Sequence, residues 1–260
     1  MIPKIIHFCW LSGDKYPKLI QQCIATWKTK LPDYEFMLWD TKKFDLESTL
    51  WTKQAFESKK YAFAADYIRL YVVYKYGGIY LDTDVEIVKN FDDLLHLPYF
   101  IGLEQNDIIE AAVFGAEKET DWLADCMRYY DNRPFIKDDG SPDLLILPKI
   151  MEGQIEQNKK LVSMGKSDLQ NLNKLIQDKT KLLLFPSEFF SAKNHETQKV
   201  SKSRDTYSIH HFNNSWIPKR MKLRLNLKRK LLKILGINLT DTIIGYSGFR
   251  VFKKMIKGTQ

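Results

Sequence analysis

Apolar positions along the chain fall into short blocks whose spacing alternates between continuous runs and stripes three or four residues apart. Residues 3–10 (PKIIHFCW) form an apolar run that predicts an opening strand. Residues 17–30 place Leu19, Cys23 and Trp27 at i, i+4 and i+8, the spacing of one helix face. Residues 34–39 (YEFMLW) predict a second strand, followed by Asp40 and Thr41. Strand, helix, strand at this spacing predicts a βαβ unit and a parallel sheet in an α/β fold. Residues 51–76 predict one helix, with Phe63, Tyr67, Leu70 and Tyr74 on a stripe. Gly77 and Gly78 end it, because glycine tolerates the left-handed cap. Residues 79–81, 99–103 and 111–114 predict strands, 119–131 a helix, and 132–142, with Pro134, Gly140 and Pro142, a loop. Residues 143–178 predict polar helix broken near Gly165, and 182–185 and 207–211 predict late strands.

The chemistry concentrates in residues 62–86, AFAADYIRLYVVYKYGGIYLDTDVE. Asp82 and Asp84 flank Thr83 directly after the predicted buried strand 79–81. Two carboxylates this close repel unless a cation neutralises them. Hard oxygen ligands suit Mg²⁺ or Mn²⁺, which are commonly held by carboxylates together with substrate phosphates. The end of a sheet strand is where open α/β folds bind ligands, so the expectation is a metal–diphosphate site. A phosphatase motif of the Asp-x-Asp-x-Thr/Val type needs Thr or Val at position 86, where this chain has Glu86, and Glu86 itself reads as solvated.

Asp66 and Arg69 are spaced i, i+3 in an otherwise apolar helix. Such a pair either forms a structural ion pair or meets a ribose hydroxyl and a phosphate, which the planar guanidinium fork suits. Trp10, at the end of the first strand, fits either a core position or a platform for a nucleobase. His210 and His211 are adjacent on a predicted strand, so they point to opposite faces and at most one of them reaches the metal.

The formal charge of +8 is unevenly placed. Residues 217–260 carry twelve Lys/Arg and one acid, Asp241, while the body before them is mildly acidic. Leu223, Leu227, Leu231, Ile234 and Leu235 fall near one helical face of this tail, with Lys222, Lys228, Arg229 and Lys233 around it. A basic amphipathic tail over 217–257 fits an anionic membrane surface, at about 1 kcal/mol per cation. Nucleic acid is not expected, because the body is acidic and the Asp-x-Asp strand would go unexplained. No apolar run of about 18 residues predicts a membrane span. The opening apolar run is too short for a signal peptide. Cys9, Cys23 and Cys126 have no metal-type spacing and read as free thiols in a reducing cytoplasm.

The segments 2–10, 23–40, 64–95 and 209–216 (IHHFNNSW) together resemble bacterial sugar transferases of glycosyltransferase family 32. The resemblance implies a GT-A, Rossmann-type nucleotide-diphospho-sugar transferase domain over 1–216 and leaves 217–260 as a basic appendage. It implies a nucleotide-sugar donor, with UDP preferred and GDP open, Mn²⁺ or Mg²⁺, and retention of anomeric configuration. By matching position, Trp10 stacks on the base, and Asp66 and Arg69 hold ribose, sugar or phosphate. Asp82 contacts the donor and Asp84 ligates the metal. His210 is the metal-binding histidine of the pair, and Ser215 and Trp216 close over the diphosphate. Glu104 and Glu110 are weak candidates for a covalent intermediate and read as surface residues or acceptor contacts. The acceptor expected is a saccharide on a lipid carrier at the inner face of the plasma membrane, as in capsular polysaccharide assembly. The alternatives are a transferase-like protein without strong activity, or a binding protein working through its basic tail.

Overall fold

The computed structural model describes residues 1–105 and 107–213. The expectations for Ser215, Trp216 and the basic tail lie outside them. In chain order the elements are β1 (Ile5–Cys9), α1 (Lys18–Lys30), β2 (Glu35–Trp39), α2 (Leu50–Glu57), α3 (Tyr61–Tyr76), β3 (Gly78–Leu81) and β4 (Val85–Ile87). There follow β5 (Tyr99–Leu103), β6 (Ile109–Ala116), α4 (Asp121–Arg128), α5 (Leu147–Ile155) and β7 (Lys160–Ser163). The described chain closes with α6 (Lys166–Leu169), α7 (Leu172–Leu175), β8 (Lys181–Leu184), α8 (Ser187–Phe190) and β9 (Ser208–His210).

A five-stranded sheet in the order β2-β1-β3-β6-β5 forms the centre of this α/β fold. Strands β1, β2 and β3 run parallel, as the βαβ reading required, but β6 is antiparallel to both β3 and β5. The sheet is therefore mixed, correcting the expectation of a parallel one. The short hairpin from β5 to β6 leaves no room for a crossover helix, which a parallel pair needs. The parallel strands end at one edge, so Trp10, Asp40 and Asp82 follow their last residues there. Trp10 N–H donates to Trp39 O across that edge at 3.1 Å.

The expected single helix over 51–76 is two helices. Lys59 adopts φ 56° between them, and Trp51, fully buried, donates its indole N–H to Phe63 O at 2.8 Å to fix the bend. The polar segment 143–178 is not continuous helix either. Lys160–Ser163 pairs in parallel with Lys181–Leu184 as β7–β8, and Phe185 N–H donates to Ile101 O, attaching this pair to the edge of β5.

The turn from α3 into β3 is built on glycine. Gly77 and Gly78 have φ of +66° and +108°, and a Cβ on Gly78 would lie 2.7 Å from Ile5 O. His7, fully buried on β1, donates from Nε2 to Gly77 O at 2.8 Å and accepts the Trp39 indole N–H on Nδ1 at 3.1 Å. One imidazole thus ties β1, β2 and the glycine turn that precedes the Asp-x-Asp segment. Burial, then Lys43, holds its pKa down at about 4 against the raising effect of the Gly77 carbonyl.

Cys23 and Cys126 are buried and Cys9 half-buried, all as free thiols. Among the described residues no helix is long and apolar enough to cross a membrane.

Candidate active site

Asp82 leaves β3 with its backbone N–H donated to Ala112 O on β6 at 2.9 Å. The chain then turns, with Val85 N–H donated to Asp82 O at 3.0 Å, and enters β4. Helix α1 holds β4 from below. Trp27 donates its indole N–H to Val85 O at 2.7 Å, and Thr26 Oγ1 accepts Ile87 N–H at 2.9 Å. Strand β9 pairs antiparallel with β4, placing His210 opposite Val85. The three-residue β4 was too short to show in the sequence, yet it is what brings position 210 back to the Asp-x-Asp turn.

Asp84 is buried and doubly fastened by the segment after β9. Its Oδ2 accepts Asn213 N–H at 2.7 Å, and its backbone O accepts His211 N–H at 3.0 Å. Its Oδ1 lies 3.7 Å from His210 Nε2. Asp82, Asp84 and His210 each offer a ligand atom, all within 4.8 Å of one another, so this group could hold a metal ion. Two carboxylates and an imidazole form a donor set that could hold a divalent cation.

The two histidines do face opposite ways. His210 Nδ1 meets Glu110 Oε2 at 3.2 Å, whereas His211 Nε2 meets Glu86 Oε2 at 3.0 Å. Glu86 also pairs with Lys202 at 3.4 Å, so it is a half-buried ion-pair partner and not a solvated residue. Burial disfavours a charged His210, but Glu110 and then Asp84 push its pKa up to about 10. A cation held at Nε2 would take the place of a proton there.

Arg69 sits behind Asp82. Its Nη2 lies 3.1 Å from Asp66 Oδ1 and its Nη1 3.3 Å from Asp82, with Nη1 also donating to Ala111 O at 2.9 Å. The guanidinium lies over the Tyr80 ring, 4.8 Å from its centroid, and Tyr80 O–H donates to Asp82 Oδ1 at 2.9 Å. Both readings of the Asp66–Arg69 spacing were open; the structure gives the ion pair and adds Asp82 to it. Burial raises the Asp66 carboxyl to about 7 and raises Asp82 as well, with Arg69 opposing in each case. Arg69 is itself raised, by Asp82 foremost, once the opposing effect of burial is overcome.

Trp10 is half-buried at the same sheet edge. Its indole N–H donates to Asp14 O at 2.7 Å, and its ring stands edge-on to Tyr16 at 4.8 Å. Glu104 and Glu110 lie on the other side of His210, with ligand atoms within 4.8 Å of it and of each other. Glu110 is fully buried, which corrects the surface reading: it is the second residue of β6, whose antiparallel course brings its first residues beside the end of β3. A lone carboxylate within the apolar run IIEAAVF was the available signal, since a buried charge needs a partner. Burial, then the neighbouring Glu110, raises Glu104 to about 8.

Residues 17–101 match the glycosyltransferase sugar-binding region containing a DXD motif. The chain is 34% identical over 134 residues to inositol phosphoceramide mannosyltransferase 3 of Schizosaccharomyces pombe, covering 49% of this chain and 36% of that protein. It is 33% identical over 64 residues to lactosylceramide 4-alpha-galactosyltransferase of Rattus norvegicus, covering 25% of this chain and 17% of that protein. The chain thus spans about a third or less of the length of these relatives. Among solved structures, the PaToxG glycosyltransferase is similar at 20% identity and TM-score 0.46, over 68% of this chain and 74% of that one. The region match and the curated relatives support a glycosyltransferase.

Proposed function

We propose that this chain transfers a sugar from a nucleoside-diphosphate donor to an acceptor hydroxyl, using a GT-A-like fold over residues 1–216. The observation that carries the reading is the convergence of Asp82 and Asp84, which lie inside the matched sugar-binding region, with His210 from β9. These three residues would hold Mn²⁺ or Mg²⁺, which supplies charge stabilisation to the departing diphosphate. Asp84 is the best-anchored ligand, with one carboxylate oxygen already oriented by Asn213 N–H. Arg69 and Tyr80 fix the carboxylate of Asp82 from behind. Trp10, at the same edge, offers its ring to the base. Asp66 acts through Arg69. Ser215 and Trp216 remain assigned to closure over the diphosphate on the sequence resemblance.

In a retaining reaction the bond from the sugar C1 to the diphosphate oxygen breaks, and a bond from C1 to the acceptor oxygen forms on the same face. The acceptor proton passes to the departing phosphate oxygen, so no strong protein base is required. UDP is the preferred nucleotide. The acceptor proposed is a lipid-linked saccharide, with the basic tail holding the enzyme to an anionic inner membrane face. Support comes from the twelve Lys/Arg after residue 216 and from relatives whose names specify ceramide-based lipids. Surface-polysaccharide assembly of the family 32 type is the setting proposed.

The test is nucleotide release from a panel of UDP- and GDP-sugars with Mn²⁺ or Mg²⁺, for the wild type and Asp84→Asn. Metal-dependent turnover of one donor, lost in the variant, is the expected result. Absence of both binding and turnover for every donor would remove the transferase reading.

A further inference from the structure

Glu110 is fully buried, and both of its oxygens are committed. Oε1 accepts Ala112 N–H at 2.8 Å, and Oε2 lies 3.2 Å from His210 Nδ1. A carboxylate only accepts, so this contact requires the hydrogen on Nδ1. Nε2 is then the nitrogen directed at Asp84, 3.7 Å from its Oδ1. The imidazole has little freedom to turn away: its ring lies against Phe212 at a centroid distance of 4.1 Å, and its backbone is paired to Val85. Phe212 adopts φ 53°, a conformation seldom taken by a bulky residue.

Resting on the transferase reading above, we propose that Glu110 is a positioning residue that fixes the Nδ1–H tautomer of His210 and so presents Nε2 to the divalent cation. A carboxylate behind a ligating histidine sets ring orientation and increases ligand basicity, and its loss generally costs 10- to 100-fold in metal affinity. Glu110 is held on β6, while His210 comes from β9, 100 residues later. The bond between them links the two halves of the site independently of Asp82 and Asp84.

Glu110→Gln is the informative variant because it is isosteric. Its amide NH₂ cannot accept, so it must either turn that group toward Ala112 N–H or donate to Nδ1, which forces the wrong tautomer. Mn²⁺ binding is read by electron paramagnetic resonance, alone and with UDP, in wild type, Glu110→Gln, His210→Ala and the double variant. Folding of each is checked by thermal denaturation, and Glu110→Asp serves as the conservative comparison should the Gln variant fail to fold. The expected result is histidine nitrogen coupling to Mn²⁺ in the wild type, with affinity reduced about 10- to 100-fold in Glu110→Gln. In the His210→Ala background the same change should have less than about a threefold further effect, since the contribution runs through the imidazole. An equal loss in both backgrounds would overturn the inference, reducing Glu110 to a nearby negative charge. Retained affinity and coupling in folded Glu110→Gln would also overturn it while leaving the transferase reading intact. No Mn²⁺ binding by the wild type, with or without UDP, would instead remove the metal reading on which the inference stands.

Discussion

Asp84 Oδ2 accepts the backbone N–H of Asn213 at 2.7 Å, across 129 residues of sequence. This bond orients the carboxylate while leaving Oδ1 toward His210, so the Asp-x-Asp turn is completed by the C-terminal part of the described chain. Asp84→Asn keeps an oxygen that can accept from Asn213 but removes the charge a cation needs. Metal-dependent turnover should fall by roughly 10²-fold or more, the equivalent of several kcal/mol of charge stabilisation. Thermal stability should change little. Steady-state kinetics across a Mn²⁺ titration checks this, and unchanged kinetics at all metal concentrations would remove Asp84 from the site.

Arg69 is buried between Asp66 and Asp82, and its removal strands both carboxylates. Breaking a buried pair by deleting one partner costs about 3–5 kcal/mol, so Arg69→Ala should be strongly destabilised in urea unfolding. Arg69→Lys should recover only part of that loss, because one ammonium cannot reproduce a fork shared among Asp66, Asp82 and Ala111 O. Full recovery by lysine would show that charge alone matters there.

His7 provides a pH dependence away from the metal ligands. Its folded pKa is about 4 against 6.5 for the free side chain. Between those values the unfolded chain binds more protons, so stability rises with pH and is lost as pH falls from about 6.5 toward 4. The full difference amounts to about 3 kcal/mol at 1.36 kcal/mol per unit. In His7→Gln this component of the slope should disappear, at the cost of a lower stability at pH 7. Chemical denaturation at several pH values measures both, and an unchanged slope would mean that another group carries it.

Much of the site's framework was legible because it is local. The helix–Gly-Gly–strand–Asp-x-Asp succession marks its own turn and ligands within 25 residues, and β1, α1 and β2 announce themselves by apolar spacing. What stayed hidden depends on contacts distant in sequence. Strand β4 has three residues and exists through pairing with β9. Strand β7 has no buried residue of its own and is held by β8, so nothing in its pattern opposed a helix. The bend between α2 and α3 interrupts a stripe that otherwise continues, and is set by the Trp51–Phe63 hydrogen bond. Glu110 could be seen as a charge in an apolar run, but His210 as its partner could not.

Gly78 tests the local part of this framework. A Cβ there would approach Ile5 O to 2.7 Å and His7 Nε2 to 3.1 Å at a φ of +108°. Gly78→Ala should therefore cost more than about 1 kcal/mol, the opposite of the stabilisation expected where alanine fits. Because β3 leads directly into Asp82, metal affinity should fall together with stability. A stable variant with normal Mn²⁺ affinity would show that the strand can shift without disturbing its carboxylates.

Trp10 separates donor binding from the chemical step. Its ring stands at the sheet edge shared with Asp82 but makes no ion-pair or ligand contact with the carboxylate cluster, its indole being anchored to Asp14 O. Stacking of a base on an aromatic ring contributes about 1–3 kcal/mol. If the base rests on Trp10, that contribution is present equally in the ground and transition states. Trp10→Ala should then raise KM for the nucleotide sugar by roughly 5- to 150-fold while kcat changes little. Trp10→Phe should restore most of the affinity, since stacking needs a ring and not the indole N–H. A variant that instead loses kcat at unchanged KM would place Trp10 among groups that orient the reacting sugar, and would move the base-binding surface elsewhere along the edge.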